Sequence, residues 1–427
     1  MSKIATTFIF ISFCLFAQQT RPFNLFDVYQ KATAAKNAKN YSEYLSLARE
    51  LIEHAPSHYG IRYLLADAQA LTGDLQSARS NLLSAAKSGM YVDLGKSTSF
   101  DQIKDSEEYA NAAKLFQQNR EPHGNSEIAF KIPQKDLIAE GIAYDPVTGS
   151  FFVSSTYCRK IVEVDSSGKS RDFIGEKQDG IWGVVGMEVD AKRRHLWVNS
   201  GNLEQDMQMK YPEPETLGHT AIHKYDLGTR KLIKKYVLAV KGEKHFFNDV
   251  SISKNGDAYI TDSDAGAVYR ILAAKNQIEL FVKPAAMPYP NGIALSADEK
   301  SLYVAHVEGI SVVDMKSREV KQLQAPESIA TTGIDGMLLY ENSLIANQAL
   351  TGVDRVARFY LSEDPTRIAK LEVLQVNHPL FVMPTTGVVA KDHFYYIANS
   401  QLRSFDEKGK IFPDENLQET IILKVKV

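Results

Sequence analysis

Four oxygen-bearing side chains stand at matching places in this 427-residue chain: Glu140, Asn248, Asn291 and Asp335. Each opens a short apolar stretch, in EGIAYD, NDVSIS, NGIALS and DGMLLY. Two carboxylates and two amide carbonyls suit a hard divalent cation, because the ligand charge cancels that of the ion and the remaining positions go to water. Calcium is the expected ion, with magnesium, manganese and zinc as other divalent occupants. No His or Cys stands at any of these openings, which disfavours a soft metal. A single NG or DG is only a turn, and Asn or Asp caps a strand start by bonding nearby backbone. The meaning of the four residues therefore lies in their common phase.

A recurring unit sets that phase. Six copies open at Glu140, Gly186, Asn248, Asn291, Asp335 and Thr386, at intervals of 43 to 62 residues. A copy consists of a short apolar strand, a polar turn, a second strand rich in Phe, Tyr and Val, and a third strand. PVTG, KNGD and SADEK join first and second strands as hairpin turns. This periodicity predicts a mainly β fold, a six-bladed β-propeller over residues 127–427. A β-sandwich with irregular hairpins is the competing arrangement. The strand EIAFKIP (127–133) precedes the first copy without partners of its own, and the chain ends on IILKVKV. The early strand is expected to complete the last blade and so hide two open sheet edges.

In such a ring the innermost strands line a central channel, and their openings share one mouth. The ends of the second strands emerge there too, offering Thr156, Asn199, Asp262, His306, Asn347 and Asn399. Asp262, Asn347 and Asn399 are candidate substrate contacts at the pocket rim; the competing reading makes each a turn residue bonded to backbone. Asp335 is the first candidate for a general base and His306 the second.

The motifs AEGIAYD, FNDVSISKNGDAYITDS, PNGIALSADEKSLYVAH and IDGMLL resemble the senescence marker protein, regucalcin and gluconolactonase family, over roughly residues 127–427. The paraoxonase-type lactonases are similar at a greater distance. The resemblance implies a six-bladed propeller whose catalytic divalent ion is held by Glu140, Asn248, Asn291 and Asp335, and a reaction that opens a lactone or ester. Two departures narrow this. Where sugar-lactonase members carry an Arg two residues before the first metal Asn, this chain has Phe246, with His245 beside it. Where paraoxonases carry a His dyad, it has VVGME (Val184–Glu188). Neither a sugar-acid substrate nor a paraoxonase-type base is implied; His245 and Phe246 become candidate walls of a more apolar pocket. The expected function is metal-assisted hydrolysis of a small-molecule lactone or ester. The alternative is a calcium-stabilised propeller that binds a partner without catalysis. A strictosidine synthase-like propeller is disfavoured, since a metal-free pocket gains nothing from four oxygen donors.

Before residue 121 the pattern is helical. NYSEYLSLARELIEHAP, IRYLLADAQALTG and DLQSARSNLLSAAKSG carry apolar residues at helical spacing, with Asp74 as a cap and Gly73 and Gly89 as stops, and a looser helix is expected over 106–118. Residues 21–120 resemble about two tetratricopeptide repeats, read either as a partner-docking groove or as a cap on the propeller; two repeats bury little surface without a neighbour. Residues 121–126 (EPHGNS) read as a linker. Lys3, the apolar run Ile4–Phe16 and Ala17 read as an export signal over residues 1–20, giving a secreted or periplasmic protein, with an uncleaved anchor as the alternative. No later segment is apolar enough to span a bilayer. A net charge of −3 provides no basic footprint for nucleic acid. The two cysteines, Cys14 and Cys158, are too few for a disulfide framework or a Cys-based zinc site.

Overall fold

The computed structural model describes residues 23–202, 209–284 and 287–427. The expected export signal lies outside the described residues. The chain after residue 121 builds six antiparallel sheets, five of four strands and one of five. Their innermost strands are Ile142–Asp145, Gly183–Asp190, Phe247–Ile252, Ile293–Leu295, Ile334–Tyr340 and Gly387–Ala390, opening blades 1 to 6 in chain order. Blades 1 to 5 each run outward through consecutive strands. Blade 6 takes three strands from the C-terminal end and its outermost strand, Glu127–Ile132, from upstream of blade 1; Glu127 lies opposite Lys424 and Ile132 opposite Thr420. The expected closure is therefore formed: the early strand gains a partner and covers the outer edge of the C-terminal strand, itself becoming the outer edge of blade 6.

The core is divided among the blade boundaries. One apolar cluster joins blades 1 and 2 around Phe152 and Leu196, and others follow around Trp197 and Phe247, Tyr259 and Leu302, Tyr303 and Leu344, and Ile345 and Phe394, with Ile422 and Val153 closing the circle between blades 6 and 1. Each sheet is thus buried on both faces by its neighbours, which is why the strands read as nearly continuous apolar runs. Near the axis the neighbours approach so closely that side chains are excluded. A Cβ on Gly292 would lie 2.7 Å from the Asp335 carbonyl oxygen and 2.7 Å from the Met337 nitrogen, and one on Gly336 would lie 2.7 Å from Thr386 Cα. Gly141 and Gly186 meet the next blade in the same way.

Five helices precede the propeller: α1 Leu25–Asn37, α2 Tyr41–His54, α3 Tyr59–Thr72, α4 Leu75–Lys87 and α5 Glu107–Arg120. Asp74 accepts a hydrogen bond from Ser77 N at the start of α4, and Gly73 ends α3 with φ +87°. The helices pack on the end of the propeller where the innermost strands begin. Ala330, Leu350, Val353 and Val376 of the propeller join the cluster around Leu82 and Phe116, and Val307 packs against the one around Leu51. Tyr91 N donates to Thr351 O (2.9 Å) and Thr331 N to Ser57 O (3.3 Å). The stretch read as a linker is pinned too: His123–Gly124 pairs with the outer edge of blade 5, and Gln375 Nε2 donates to His123 O at 2.8 Å. Among the described residues no helix is long and apolar enough to cross a membrane.

Because both atoms that crowd Gly292 belong to backbone, Gly292→Ala is expected to lose about 1–3 kcal/mol of stability as the blade 4–5 contact is forced apart. Urea unfolding of the variant against the parent checks this, and an unchanged midpoint would show that the inner strands have slack.

Candidate metal centre at the propeller mouth

The opening residues are held in phase by bonds from one blade to the next. Asn199 Nδ2 donates to Asn248 O (2.9 Å), Thr261 Oγ1 to Asn291 O (2.8 Å) and Asn347 Nδ2 to Thr385 O (2.6 Å). Gly292 N donates to Asp335 O (3.0 Å), and Thr385 and Thr386 both donate through Oγ1 to Glu140 O (3.0 and 2.6 Å). This pattern moves two openings by one residue. Blade 6 opens at Thr385, whose carbonyl Asn347 holds, and not at Thr386. Blade 2 opens at Val185, because Gly186 takes the close-approach position shared by Gly141, Gly292 and Gly336. Glu140, Asn248, Asn291 and Asp335 keep their common phase.

Each of these four has a polar end that is held or left bare. Asn291 Nδ2 donates to Asp335 Oδ1 at 2.8 Å, while Asn291 Oδ1 is buried without a donor. Glu140 is buried, and its Oε2 has no partner. Asn248 Nδ2 donates to Ser263 Oγ (3.2 Å), which leaves its side-chain carbonyl as the end available to a ligand, and Ser263 Oγ in turn donates to Pro290 O (2.6 Å), one residue before Asn291. Burial, with Asp335 and Asp249 nearby, holds the Glu140 carboxyl well above the usual range. Burial raises Asp335 to about 6, against the opposing pull of the Asn291 amide. Burial and the charge of Asp335 raise Asp249 to about 7.

Asp249 belongs to this cluster and was not singled out from the sequence. Its signal is there: the residue after the opening is Gly in blades 1, 2, 4 and 5 but an acid in blade 3. These oxygens fit a cation, since Glu140 Oε2 and Asn291 Oδ1 both lack a donor and no cationic side chain offsets the three acids. Among the described residues no three His, Cys, Asp or Glu side chains converge as a ready ligand set. Any cation here depends on the amide oxygens of Asn248 and Asn291.

The other candidates serve mainly structural bonds, although Asn347 Oδ1, like Asn291 Oδ1, is buried without a partner. His306 is a correction: Nδ1 accepts from Glu308 N (3.2 Å) and Nε2 bonds Ser311 Oγ (2.9 Å), so both ring nitrogens serve their own hairpin, and burial lowers its pKa to about 4. Asn347 is a blade-to-blade tie. Asn399 clamps the closing strand, accepting from Ile421 N (2.7 Å) and donating to Glu419 O (2.9 Å). His245, Phe246 and Asp262 form one unit just ahead of Asn248. His245 Nδ1 lies 2.6 Å from Asp262 Oδ2, and Asp262 Oδ1 accepts from Phe246 N (2.9 Å) and Ala265 N (3.1 Å). All three side chains are buried, so they brace the approach to Asn248. Thr156 Oγ1 donates to Ile138 O at 2.9 Å.

A closed six-bladed ring with acids and amides at the openings of its innermost strands places the chain among the six-bladed β-propellers. Residues 138–385, more than half the chain, match the family model described as SMP-30/Gluconolactonase/LRE-like region. The chain belongs to this family. No curated protein matches it in sequence. Among solved structures it is similar to a gluconolactonase from Xanthomonas campestris (15% identity over 71% of this chain and 89% of that one, TM-score 0.47). It is similar also to a luciferin-regenerating enzyme (15%, 71% and 96%, TM-score 0.49) and to the calcium-binding protein regucalcin from Agrobacterium tumefaciens (14%, 70% and 95%, TM-score 0.47).

The raised carboxyls give a signed pH effect. Asp249 and Asp335 titrate near 3.8 when unfolded but near 7 and 6 when folded without a cation. Between about pH 4 and about pH 7 the folded chain keeps protons that the unfolded chain has released, so stability falls as pH rises. A bound cation takes the place of those protons, and its stabilisation grows across the same window. Melting temperatures in chelator and in calcium should diverge with pH, and Asp249→Asn should flatten the chelator curve. A chelator curve of the same slope in the variant contradicts this arrangement.

Proposed function

We propose that the protein is a divalent-cation-dependent hydrolase of a lactone or ester, with Glu140, Asn248, Asn291 and Asp335 holding the cation. The observation that carries this is the set of unneutralised carboxyls at the axial mouth of a chain from a gluconolactonase-type family. A divalent cation, calcium by the hardness of the donors, supplies when bound the positive charge that polarises a substrate carbonyl. Asp335 is the base. Its Oδ1 is held by the Asn291 amide, which leaves Oδ2 to take the proton of the attacking water, and the bound cation keeps that carboxylate ionised and ready to accept it. Glu140, further from ionising on its own, contributes ligand charge. Asn248 and Asn291 add neutral oxygens, so the ring does not accumulate more negative charge than a divalent ion offsets.

The helices serve this reading as a cap, since their apolar faces are spent on the propeller's own loops. Export by residues 1–20 is part of the proposal and sets the protein in a compartment where calcium is plentiful; N-terminal sequencing of the mature protein should find a start near residue 21.

A panel of aliphatic lactones and aryl esters should be turned over in calcium, lost in chelator and restored on adding calcium back. Asp335→Asn should lower kcat by about 10²–10⁴-fold while the protein stays folded. Turnover that survives chelation, or an unchanged kcat in the folded variant, overturns the mechanism.

A further inference from the structure

The channel does not end at the acid cluster. Below it, toward the end of the propeller opposite the helices, lies a cavity of about 610 Å³ lined by the innermost strands of all six blades. That volume lies in the range of small-molecule sites, about 300–1,000 Å³. Its wall is aliphatic: Val189, Ile252, Leu295, Leu339 and Val389 line it and stay half-buried, their surface turned to the hollow. A propeller interior of this kind loses apolar surface burial with nothing in the channel, at roughly 25 cal/mol for each Å².

Three acids line this cavity: Asp249 near its roof, Glu188 on its wall, and Glu299 at the outer rim, where its Oε1 accepts from Lys254 N at 2.6 Å. Glu188 Oε2 accepts one bond, from Ile252 N at 3.2 Å. No described Lys or Arg influences it; its neighbours in charge are Asp190 and Asp249, and burial raises it to about 8. The lysines on the lining, Lys254 and Lys391, are exposed side chains at the turns of the outer rim, and Lys254 Nζ donates to Ala297 O. An aliphatic tunnel with half-buried acids suits a cation that can bring an apolar body inside with it.

The form of that cation follows from the wall. Tyr144 is the only aromatic residue on the lining, and its ring packs against Phe151 with centroids 4.8 Å apart. There is no aromatic cage to take a quaternary ammonium through its ring faces. A carboxyl wants N–H donors instead, and charge-assisted bonds to an ammonium are the stronger kind. We infer that the far end of the channel is a second binding site, separate from the hydrolytic mouth, for a primary alkylammonium whose chain lies along the aliphatic wall and whose head group meets Glu188.

Isothermal titration of the full-length protein with n-octylammonium tests this, with 1-octanol and n-octyltrimethylammonium as comparators. At a pH above about 8, where Glu188 is ionised, octylammonium should bind about tenfold or more tightly than either, the margin expected of a charge-assisted bond to a half-buried carboxylate. Glu188→Gln should remove that margin and leave the weak octanol binding in place. Leu339→Trp, which narrows the hollow without touching an acid, should weaken binding of all three. Equal affinities for the three ligands in the parent protein overturn the site without recourse to any variant. Octylammonium binding that is undiminished in Leu339→Trp also overturns it, by placing the ligand elsewhere. Neither result bears on lactone turnover at the opposite mouth.

Discussion

Three carboxyls, Glu140, Asp249 and Asp335, share the axis of the ring, and no ammonium or guanidinium is placed to offset them. Water solvates such groups cheaply and a protein interior does not, so each acid raises the cost of ionising the next. Two resolutions exist: the cluster holds protons, or it holds a cation. Nearby polar atoms favour the second. One proton can turn one carboxyl into a donor for one acceptor, whereas the cluster also holds the Asn291 carbonyl oxygen and Glu140 Oε2, both buried without a partner. A cation satisfies both kinds of oxygen at once.

The rest of the fold keeps that cluster from relaxing. Repulsion among the acids would be relieved by spreading the inner strands apart, and three features oppose it. The closing strand Glu127–Ile132 makes the ring circular, so no blade can swing out alone. Glycines at the close-approach positions bring inner-strand backbone against inner-strand backbone, as at Gly292 against Asp335 O and Met337 N. Side chains from one blade grip the opening carbonyl of the next, as Asn199 does for Asn248 and Thr261 for Asn291. The apolar clusters at the blade boundaries supply the stability that this arrangement consumes.

What could be read from the chain and what could not follow from how far each signal reaches. Strand periodicity and hairpin turns are local, so the six copies, the closing strand and the helical region were all legible. The phase of Glu140, Asn248, Asn291 and Asp335 was legible because an oxygen donor marks it. The phase of blades 2 and 6 was not. Val185 carries no polar marker beside Gly186, and TTG in blade 6 presents two equivalent threonines. Helix α1 was not singled out because its buried face, Leu25, Val28, Ala32 and Ala35, is half alanine and gives a faint apolar stripe. Asn347, Asn399 and His306 look like rim residues in a linear chain, and only their partners reveal otherwise. Asn347 reaches Thr385 and Asn399 reaches Glu419, contacts that strand spacing does not encode.

The helical region ties into this same constraint. Its α4 ends at Ser88 and Gly89, directly over Arg355 of blade 5, which is buried with Nε donating to Gln348 Oε1 (2.7 Å). Desolvation lowers the Arg355 pKa to about 10, and no carboxylate compensates it. The partial negative charge at the end of α4 therefore does part of what a counter-ion would do. Gln348 passes the contact on, donating to Ala330 O (2.9 Å) and Thr332 O (2.7 Å), in the loop that leads into Asp335. The chain of contacts runs from a helix end through Arg355 and Gln348 to the loop ahead of Asp335. The five-helix region is thereby tied to the propeller, and the loop ahead of Asp335 is given a brace. The helices and the acid cluster are one mechanical unit, so changes in the cap should be felt at the mouth without any cap residue touching substrate.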